Sequence, residues 1–447
     1  MNPRLALVGS VVGAVIVALD GTVLTVAQPA LRRDLHTSFA AVQWTSTGYL
    51  IAVASLLVFA GRLGDRYGHH WLFGIGMLGF GGASAGIAVA PDVGWLIGLR
   101  VAQGVFGALL QPATLGMLRT SYPPDRLRGA IALRTASIGV AAALGPLVGG
   151  ALVAGPGWRT AFLLNVVPAL VLGALALTAR ARPVAHPVRL DLPGALLLAV
   201  TLACLVHALV ASPGWALSAT AACLTGAAFV RHERRTAHPL LPTRVVGPAA
   251  PALGMLVAAS AALSGTLFAG TFLLQGALRM DAFRSALTSL PLAVLMVAAA
   301  LASPLLLRRA GTRRTTTVAM GVLAAGILVL SQVTSAPALC TGFALIGAGF
   351  GTVMTAATHG VVRQAAVESA GVAGGLQQTA MNVGPVLGIA VATALMGSDG
   401  EVAGPMAVLS ALVLAGACLG RLLPGPDGDE RNDHRRSEDR PPVPERR

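Results

Sequence analysis

Between two long apolar runs lies the segment GRLGDRYGHH, which extends from Gly61 to His70. It is short, and it combines glycines with an acid and several basic residues, which is unusual between apolar helices. Glycine adopts backbone conformations that other residues avoid, so the glycines predict two tight turns. Asp65 and Arg66 place opposite charges side by side at the predicted cytoplasmic ends of the flanking helices. The segment therefore predicts a short charged loop that connects two membrane spans.

The composition of the whole chain indicates a membrane protein. Of its 447 residues, 55% are hydrophobic and 11% are charged, and the mean hydropathy is +0.74. A soluble protein of this length could not cover so much apolar surface with so few charged side chains. The apolar runs are continuous and lack the alternation of a barrel strand, which excludes a β-barrel. The predicted fold class is therefore an all-α polytopic membrane protein.

Fourteen apolar runs are long enough to cross a bilayer as helices, which takes roughly 20 residues each. Turn residues such as Gly155-Pro156-Gly157 separate them. The predicted spans are residues 5–29, 42–62, 71–90, 94–118, 130–154, 158–179, 192–211, 214–231, 248–275, 286–307, 315–333, 337–358, 371–396 and 403–423. The seventh and eighth spans can also be interpreted as one re-entrant hairpin.

The arginines predict the orientation in the membrane. All 32 basic residues are arginines. If loops are assigned alternately to the two sides, beginning inside, nineteen arginines, Arg134 among them, fall in inner loops and five in outer loops. Seven more lie near the C-terminus, and Arg100 lies in a span. Cytoplasmic loops carry an excess of positive charge, so both termini are predicted to be cytoplasmic and the protein to lie in the cell's inner membrane.

The composition also predicts what the protein does not bind. Its net charge of +14 is divided among short loops and forms no contiguous patch, so no nucleic-acid partner is predicted. The four cysteines are scattered among the spans and predict neither a metal site nor a disulfide framework. The sequence offers no cluster of convergent titratable residues typical of an enzyme, and no cofactor is predicted.

Two charged residues lie well inside predicted spans, Asp20 in the first and Arg100 in the fourth. A charge near the bilayer centre costs about 2.5–3.5 kcal/mol on insertion scales, which makes each a candidate functional group. At about 1.5 Å per residue, they lie roughly 13 Å and 9 Å from the same membrane face. The pair predicts a site where Asp20 gains and loses a proton beside Arg100. The alternatives are an acid satisfied by the hydroxyls of Thr22 and Thr25, and a static ion pair.

The segments around these charges resemble the first-helix and fourth-helix motifs of the fourteen-span drug:proton antiporters, a branch of the major facilitator superfamily. They read LDGTVLTVAQPAL from Leu19 and LRVAQGVFGALLQPA from Leu99. The matching positions are Asp20, Thr22, Ala27 and Pro29 in the first segment and Arg100, Gln103, Gly104 and Gly107 in the second. The first segment departs from the motif at Thr25 and Gln28. The resemblance implies a proton-coupling role for Asp20 and Arg100.

The segment GPLVGG, residues 145–150, resembles the motif typical of exporters in this superfamily. The resemblance implies an antiporter hinge formed by Gly145, Pro146, Gly149 and Gly150. Glycines on one helix face also allow close helix contact, so tight packing is the alternative interpretation.

The loop from Gly61 to His70 resembles the loop between the second and third helices of the superfamily. Its matching positions are Gly61, Asp65, Arg66 and Gly68, and the resemblance implies a latch that closes the cytoplasmic face. The sequence departs from the family pattern at His69 and His70, where the family has a basic pair. A histidine carries less charge than an arginine at neutral pH, so the latch is predicted to be weaker.

The resemblance implies the major facilitator fold, with two six-helix bundles at residues 1–183 and 246–423. A two-helix insertion with cytoplasmic linkers, residues 184–245, is predicted between them. The tail, residues 424–447, is rich in proline and mixed charge and is predicted to be disordered.

The predicted function is proton-driven export of amphipathic drugs or antibiotics by alternating access, by a monomer in the lipid bilayer. The alternative is an importer or facilitator of a specific metabolite on the same fold. A specific exporter and a multidrug pump fit the sequence equally well. The polar candidates for the substrate cavity are Gln103, Gln111, Gln275, Gln378 and Asn382.

Overall fold

The computed structural model describes residues 2–178, 191–210, 214–236, 239, 243–332, 335–364, 370–396 and 401–422. This part of the chain is almost entirely helical and contains no β-strand. Its α-helices are α1 (Pro3–Asp34), α2 (Phe39–Tyr67), α3 (His69–Ala88), α4 (Val93–Ser121), α5 (Pro124–Ala154), α6 (Trp158–Leu177), α7 (Leu192–Val210), α8 (Trp215–Arg235), α9 (Thr243–Phe272), α10 (Ala282–Gln332), α11 (Ala336–Gln364), α12 (Ala370–Leu395) and α13 (Ala403–Cys418). A π-helical turn, Leu273–Ala277, follows α9, and a 3-10 turn, Leu419–Leu422, follows α13.

Twelve helices in the described residues are long and apolar enough to cross a membrane. One of them, α10, has 51 residues and breaks at Gly311, where φ is 74° and ψ is 165°, so it is long enough for two spans. Helix α8 is not among the twelve, because Arg231 and further polar residues follow its apolar part. The all-α polytopic fold is therefore confirmed, while the count of fourteen spans stays a prediction.

The helices form two groups. Helices α1 to α6 pack against one another around a core that includes Phe73, and α9 to α13 do so around Phe343. Helix α7 packs on both α2 and α12, and Ile51, Leu202 and Val386 from these three helices share one buried apolar cluster. The α7–α8 hairpin therefore lies across the two groups, which are called the N-terminal and C-terminal halves below.

Some predicted boundaries lie outside the described residues. This holds for the boundary at residue 183 and for the tail, residues 424–447. The boundary at residue 245 falls just inside α9, which begins at Thr243. The division into domains stays a prediction.

Besides the cluster of Ile51 and Val386, the two halves touch where α1 ends and α2 begins, which is called the outer end here. The Gln275 amide nitrogen in the π-helical turn donates a hydrogen bond to the Val26 carbonyl of α1 at 3.0 Å. Phe39, at the start of α2, packs edge-on against Phe272, at the end of α9, with ring centroids 4.8 Å apart. The opposite end of the molecule, where α1 begins, is called the inner end.

The segment from Gly61 to His70 contains one turn, so the prediction of two turns is wrong. Helix α2 continues to Tyr67, α3 begins at His69, and within this segment only Gly68 has a positive φ, 98°. Gly61 and Gly64 are helical. No proline interrupts the helix here, and Gly64 serves packing, because a Cβ at this position would overlap the His69 ring.

Arg134 lies in a helix and not in an inner loop. The assignment of arginines to loops counts it with the inner loops, although the predicted span 130–154 contains it. The structure places it in α5, ten residues after the first residue of that helix, Pro124, and within the candidate span Gly129–Ala154.

Candidate functional site

The two charged residues predicted inside spans form a buried ion pair. The Nη1 atom of Arg100 lies 2.6 Å from Oδ2 of Asp20, and each side chain is only 1% exposed. Asp20 belongs to α1 and Arg100 to α4, two helices that pack against each other. Because burial removes both charges from water, each depends on its partner for compensation.

Three donors hold the carboxylate of Asp20. Besides Arg100, the amide nitrogen of Gln103 lies 3.1 Å and that of Asn165 3.2 Å from its Oδ1 atom. Gln103 follows Arg100 by one helical turn, accepts a hydrogen bond from its Nη1 atom, and donates to the hydroxyl of Ser84 at 2.9 Å. An ionised carboxylate only accepts hydrogen bonds, so this set of donors suits the charged form of Asp20.

Arg100 has contacts that do not depend on Asp20. Its Nε atom donates to the Thr45 carbonyl at 2.9 Å, and its Cζ atom lies 4.4 Å from the ring centroid of Tyr49. The Tyr49 hydroxyl is buried and has no hydrogen-bond partner among the described residues. Neither contact requires a charge on Asp20, and a carbonyl oxygen and an aromatic face both stabilise a cation.

The hydroxyls of Thr22 and Thr25 do not satisfy Asp20, although the sequence allowed this alternative. Thr22 donates to the Ala18 carbonyl at 3.1 Å, and Thr25 donates to the Gly21 carbonyl at 3.0 Å, both within α1. The carboxylate is held by α4 and α6 instead.

A small cavity adjoins the carboxylate between α1 and α6. Its volume is about 10 Å³, which is roughly the room that one water molecule needs. The lining residues are Asp20, Val23, Leu24, Ala27, Ala161 and Phe162. The acid is thus the polar group in an otherwise apolar pocket, where one water could reach it.

The glycines of the GPLVGG segment lie at helix contacts. A Cβ at Gly145 would overlap Thr22 of α1, and one at Gly149 would lie 3.0 Å from Cα of Val23. A Cβ at Gly150 would lie only 2.7 Å from the Ala282 carbonyl oxygen of α10. One face of α5 therefore approaches α1 just after Asp20, and another approaches the C-terminal half. Helix α5 continues through Pro146 without a break.

In the part of the chain that the structure describes, the contacts of Asp65 and Arg66 in the predicted latch stay within their own segment. Asp65 lies 3.1 Å from Nε2 of His69, and its side chain is 58% exposed. Arg66 is exposed, with its Cζ atom 5.2 Å from the ring centroid of Tyr67. The described contacts of Asp65 and Arg66 therefore do not bind the C-terminal half. Arg62 does reach further, because its Nη2 atom donates to the Pro239 carbonyl in the linker after α8 at 2.8 Å.

The five polar residues predicted for the cavity do not gather in one place. Gln103 is fully buried in the Asp20 network, and Gln275 connects the two halves at the outer end. Gln111 is half-buried on α4, and Gln378 is exposed on α12. Asn382 is buried and donates to the Gln378 carbonyl at 2.9 Å.

Residues 11–389 match the sequence profile of the Major Facilitator Superfamily. This chain belongs to that superfamily. It is therefore a membrane transporter and not an enzyme, as predicted.

Several curated relatives of the transporter are similar over most of their length. A tetracenomycin C resistance and export protein of Streptomyces glaucescens is 38% identical, over 89% of this chain and 76% of that protein. A methylenomycin A resistance protein of Streptomyces coelicolor is 32% identical, over 93% of this chain and 91% of that protein. The multidrug efflux pump LfrA of Mycolicibacterium smegmatis is 31% identical, over 84% of this chain and 77% of that protein.

Solved structures confirm the fold of the transporter. A peptide transporter in complex with sulfate aligns with a TM-score of 0.65 over 94% of this chain and 96% of its own, at 16% identity. The nucleoside transporter NupG aligns with a TM-score of 0.64 over 94% of this chain and 99% of its own, at 14% identity. At these identities the likeness concerns the fold alone.

Three members of the buried network were not singled out from the sequence. Asn165, Ser84 and Tyr49 are uncharged, and such residues cost less in a membrane helix than a charge does. Asn165 is the one polar residue of the run AFLLNVVP, residues 161–168, and that isolation is the signal that could have identified it.

Proposed function

We propose that this transporter exports a small amphipathic drug or antibiotic across the cell's inner membrane in exchange for protons. It works by alternating access, and it functions as a monomer with both termini in the cytoplasm. The observation that carries the proposal is the buried ion pair of Asp20 and Arg100, whose charge can change only when a proton arrives or leaves.

The relatives support export rather than import. One is by name an export protein, one an efflux pump, and one an antibiotic resistance protein, and all three match most of this chain. None of these three relatives supports the alternative, an importer or facilitator of a metabolite on the same fold.

The proton acts through a change of partners at Asp20. When the carboxylate is ionised, Arg100, Gln103 and Asn165 hold it within α1, α4 and α6. A proton on Asp20 removes the charge that Arg100 compensates, so the attraction between α1 and α4 weakens. Arg100 then relies on the Thr45 carbonyl and the Tyr49 ring. The two protonation states therefore favour different positions of α1, which is the differential interaction a conformational switch requires.

A chain of close contacts leads from Asp20 to the other half. Thr22 and Val23 follow Asp20 on α1 and touch Gly145 and Gly149 of α5. On the same helix, Gly150 touches Ala282 of α10 at the outer end. A shift of α1 on protonation is thereby passed to the contact that closes the outer end between the halves.

The structure suits the inward-facing state of this cycle. The hydrogen bond from Gln275 to Val26 and the contact of Phe39 with Phe272 join the halves at the outer end, and the buried cluster of Ile51 and Val386 joins them nearer the middle. At the inner end, the described contacts of Asp65 and Arg66 stay within their own segment. In the outward-facing state the latch segment would bind the C-terminal half and close the inner end.

The test is drug susceptibility in a bacterial host that lacks its own major efflux pumps. The unmodified chain, Asp20→Asn and Asp34→Asn are compared against a panel of amphipathic antibiotics and dyes, with membrane expression measured for each. Asp34→Asn is the matched control, because Asp34 forms an exposed ion pair with Arg159 at 3.3 Å at the outer end. We expect resistance from the unmodified chain and the control, and none from Asp20→Asn at equal expression. Full resistance from Asp20→Asn would remove Asp20 from the mechanism.

A further inference from the structure

A second arginine lies inside the N-terminal half, and its environment differs from that of Arg100. Arg134 is half-buried on α5, within the candidate span Gly129–Ala154. Its Nε and Nη2 atoms donate to the hydroxyl of Thr114 on α4, at 3.2 and 2.9 Å. The side chain therefore points sideways to a neighbouring helix instead of along α5 toward the membrane surface.

Arg134 has no acidic partner in the described part of the chain. No carboxylate there lies within 4.0 Å of its guanidinium, whereas Arg100 is matched by Asp20. A guanidinium carries five N–H donors, and the described contacts of Arg134 all go to one neutral oxygen. A cation at membrane depth is costly unless an anion compensates it. Among the described charges inside the spans of this half, Asp20 compensates Arg100, and the positive charge of Arg134 has no matching negative charge.

The position of Arg134 connects it to the polar face of α4. Residues on that face follow one another at steps of three or four, which places them on one side of the helix. They are Arg100, Gln103, Gly107, Gln111 and Thr114. Thr114 lies about 21 Å along α4 from Arg100, toward the inner end. Arg134 therefore stands at the inner end of a polar stripe whose outer end is the Asp20 site.

We propose that Arg134 binds the anionic group of an amphipathic substrate, a carboxylate or an acidic phenol, that enters from the inner end. The inference rests on the proposed export function and specifies its substrate class. Thr114 orients the planar guanidinium through two of its donors and leaves the rest for the anion. Arginine suits this role because its fork of donors matches a carboxylate. Since Asp20 is already paired with Arg100, the described site favours substrates with one negative charge over cations.

The test is equilibrium binding to the purified full-length transporter in detergent, which needs no proton gradient. The probes are diethylaminocoumarin carboxylic acid, which is anionic at pH 7, and its ethyl ester, which is uncharged. The variants are Arg134→Gln, Arg134→Lys and Thr114→Val, each checked for a single size-exclusion peak. We expect Arg134→Gln to weaken binding of the acid about tenfold and to leave binding of the ester unchanged. Arg134→Lys should retain part of the preference, and Thr114→Val should lose less than Arg134→Gln.

Three results would overturn the inference. An equal loss for both probes would assign Arg134 to tethering α4 and α5, and the same would follow if Thr114→Val matched Arg134→Gln for both. Binding that depends on added anionic lipid and not on the probe's charge would assign Arg134 to a lipid phosphate. Failure of the unmodified chain to bind the acid more tightly than the ester would remove the subsite. Because the assay does not involve Asp20, a failure of proton coupling is seen separately, in the susceptibility test.

Discussion

Asp20 and Arg100 lie 80 residues apart in the chain, yet Oδ2 of one is 2.6 Å from Nη1 of the other. Both side chains are almost completely buried, so neither charge can exchange its partner for bulk water. We therefore expect protonation of Asp20 to change the contacts of α1 with α4 and α6.

Removing one member of the pair should destabilise the transporter more than removing both charges. Arg100→Gln leaves a buried carboxylate without its cation, which costs roughly 3–5 kcal/mol in other buried pairs. In Asp20→Asn with Arg100→Gln, two neutral amides face each other and much of that cost is absent. Thermal unfolding in detergent measures the difference. If the double variant unfolded at the temperature expected from the sum of the single losses, the two charges would not be coupled.

Gln103 and Gln111 occupy the same face of α4, but only Gln103 belongs to the Asp20 network. Gln103→Leu removes one donor to the carboxylate and leaves Ser84 without its partner, a loss of about 1–3 kcal/mol for buried polar groups. We expect gradient-driven transport to fall about tenfold in this variant and to change little in Gln111→Leu. Transport assays on equal amounts of reconstituted protein compare the two. Equal losses would indicate that the whole face binds substrate and that the network has no separate role.

Gly150 should be sensitive to a single methyl group. Its backbone approaches that of Ala282 so closely that the Cβ of Gly150→Ala would meet the carbonyl oxygen at 2.7 Å. The two halves cannot then close at the outer end as described, so transport should fall while expression is retained. Gly139→Ala on the same helix is the control, because nothing lies within 4 Å of the added Cβ. If both variants transported normally, α5 would not carry the contact that closes the outer end.

The ring of His69 occupies a slot between Gly64 of α2 and Gly116 of α4. In Gly116→Ala the new methyl group would overlap this ring, and overpacking of this kind costs about 1–3 kcal/mol. We expect a lower unfolding temperature for Gly116→Ala and recovery when His69→Ala is added. Gly98→Ala, whose Cβ meets nothing within 4 Å, should unfold like the unmodified protein. A lack of recovery in the double variant would show that another contact causes the loss.

The meeting of Asp20 and Arg100 could be predicted from the sequence because charges in apolar helices are rare and must be compensated. Their depths, counted from the span ends, already placed them near one level. Asn165 and Ser84 could not be assigned in this way, because an uncharged polar residue can satisfy itself within its own helix, as Thr22 does.

Gly61, Gly64 and Arg134 show where local reading of the sequence fails. A glycine permits a turn, but it also permits close packing, and Gly64 serves the second purpose. The assignment of arginines to loops counts Arg134 with an inner loop, but it lies in α5. Its guanidinium donates hydrogen bonds to Thr114, which lies on α4, and the sequence around Arg134 does not indicate a contact with another helix.

Dye movement into proteoliposomes under an imposed pH gradient tests most directly whether a proton at Asp20 drives transport. The purified transporter and Asp20→Asn are reconstituted in equal amounts, and an ionophore that collapses the gradient serves as the control. We expect gradient-dependent dye movement that the ionophore abolishes and that Asp20→Asn lacks. Dye movement at the same rate without a gradient, or unchanged in Asp20→Asn, would contradict it.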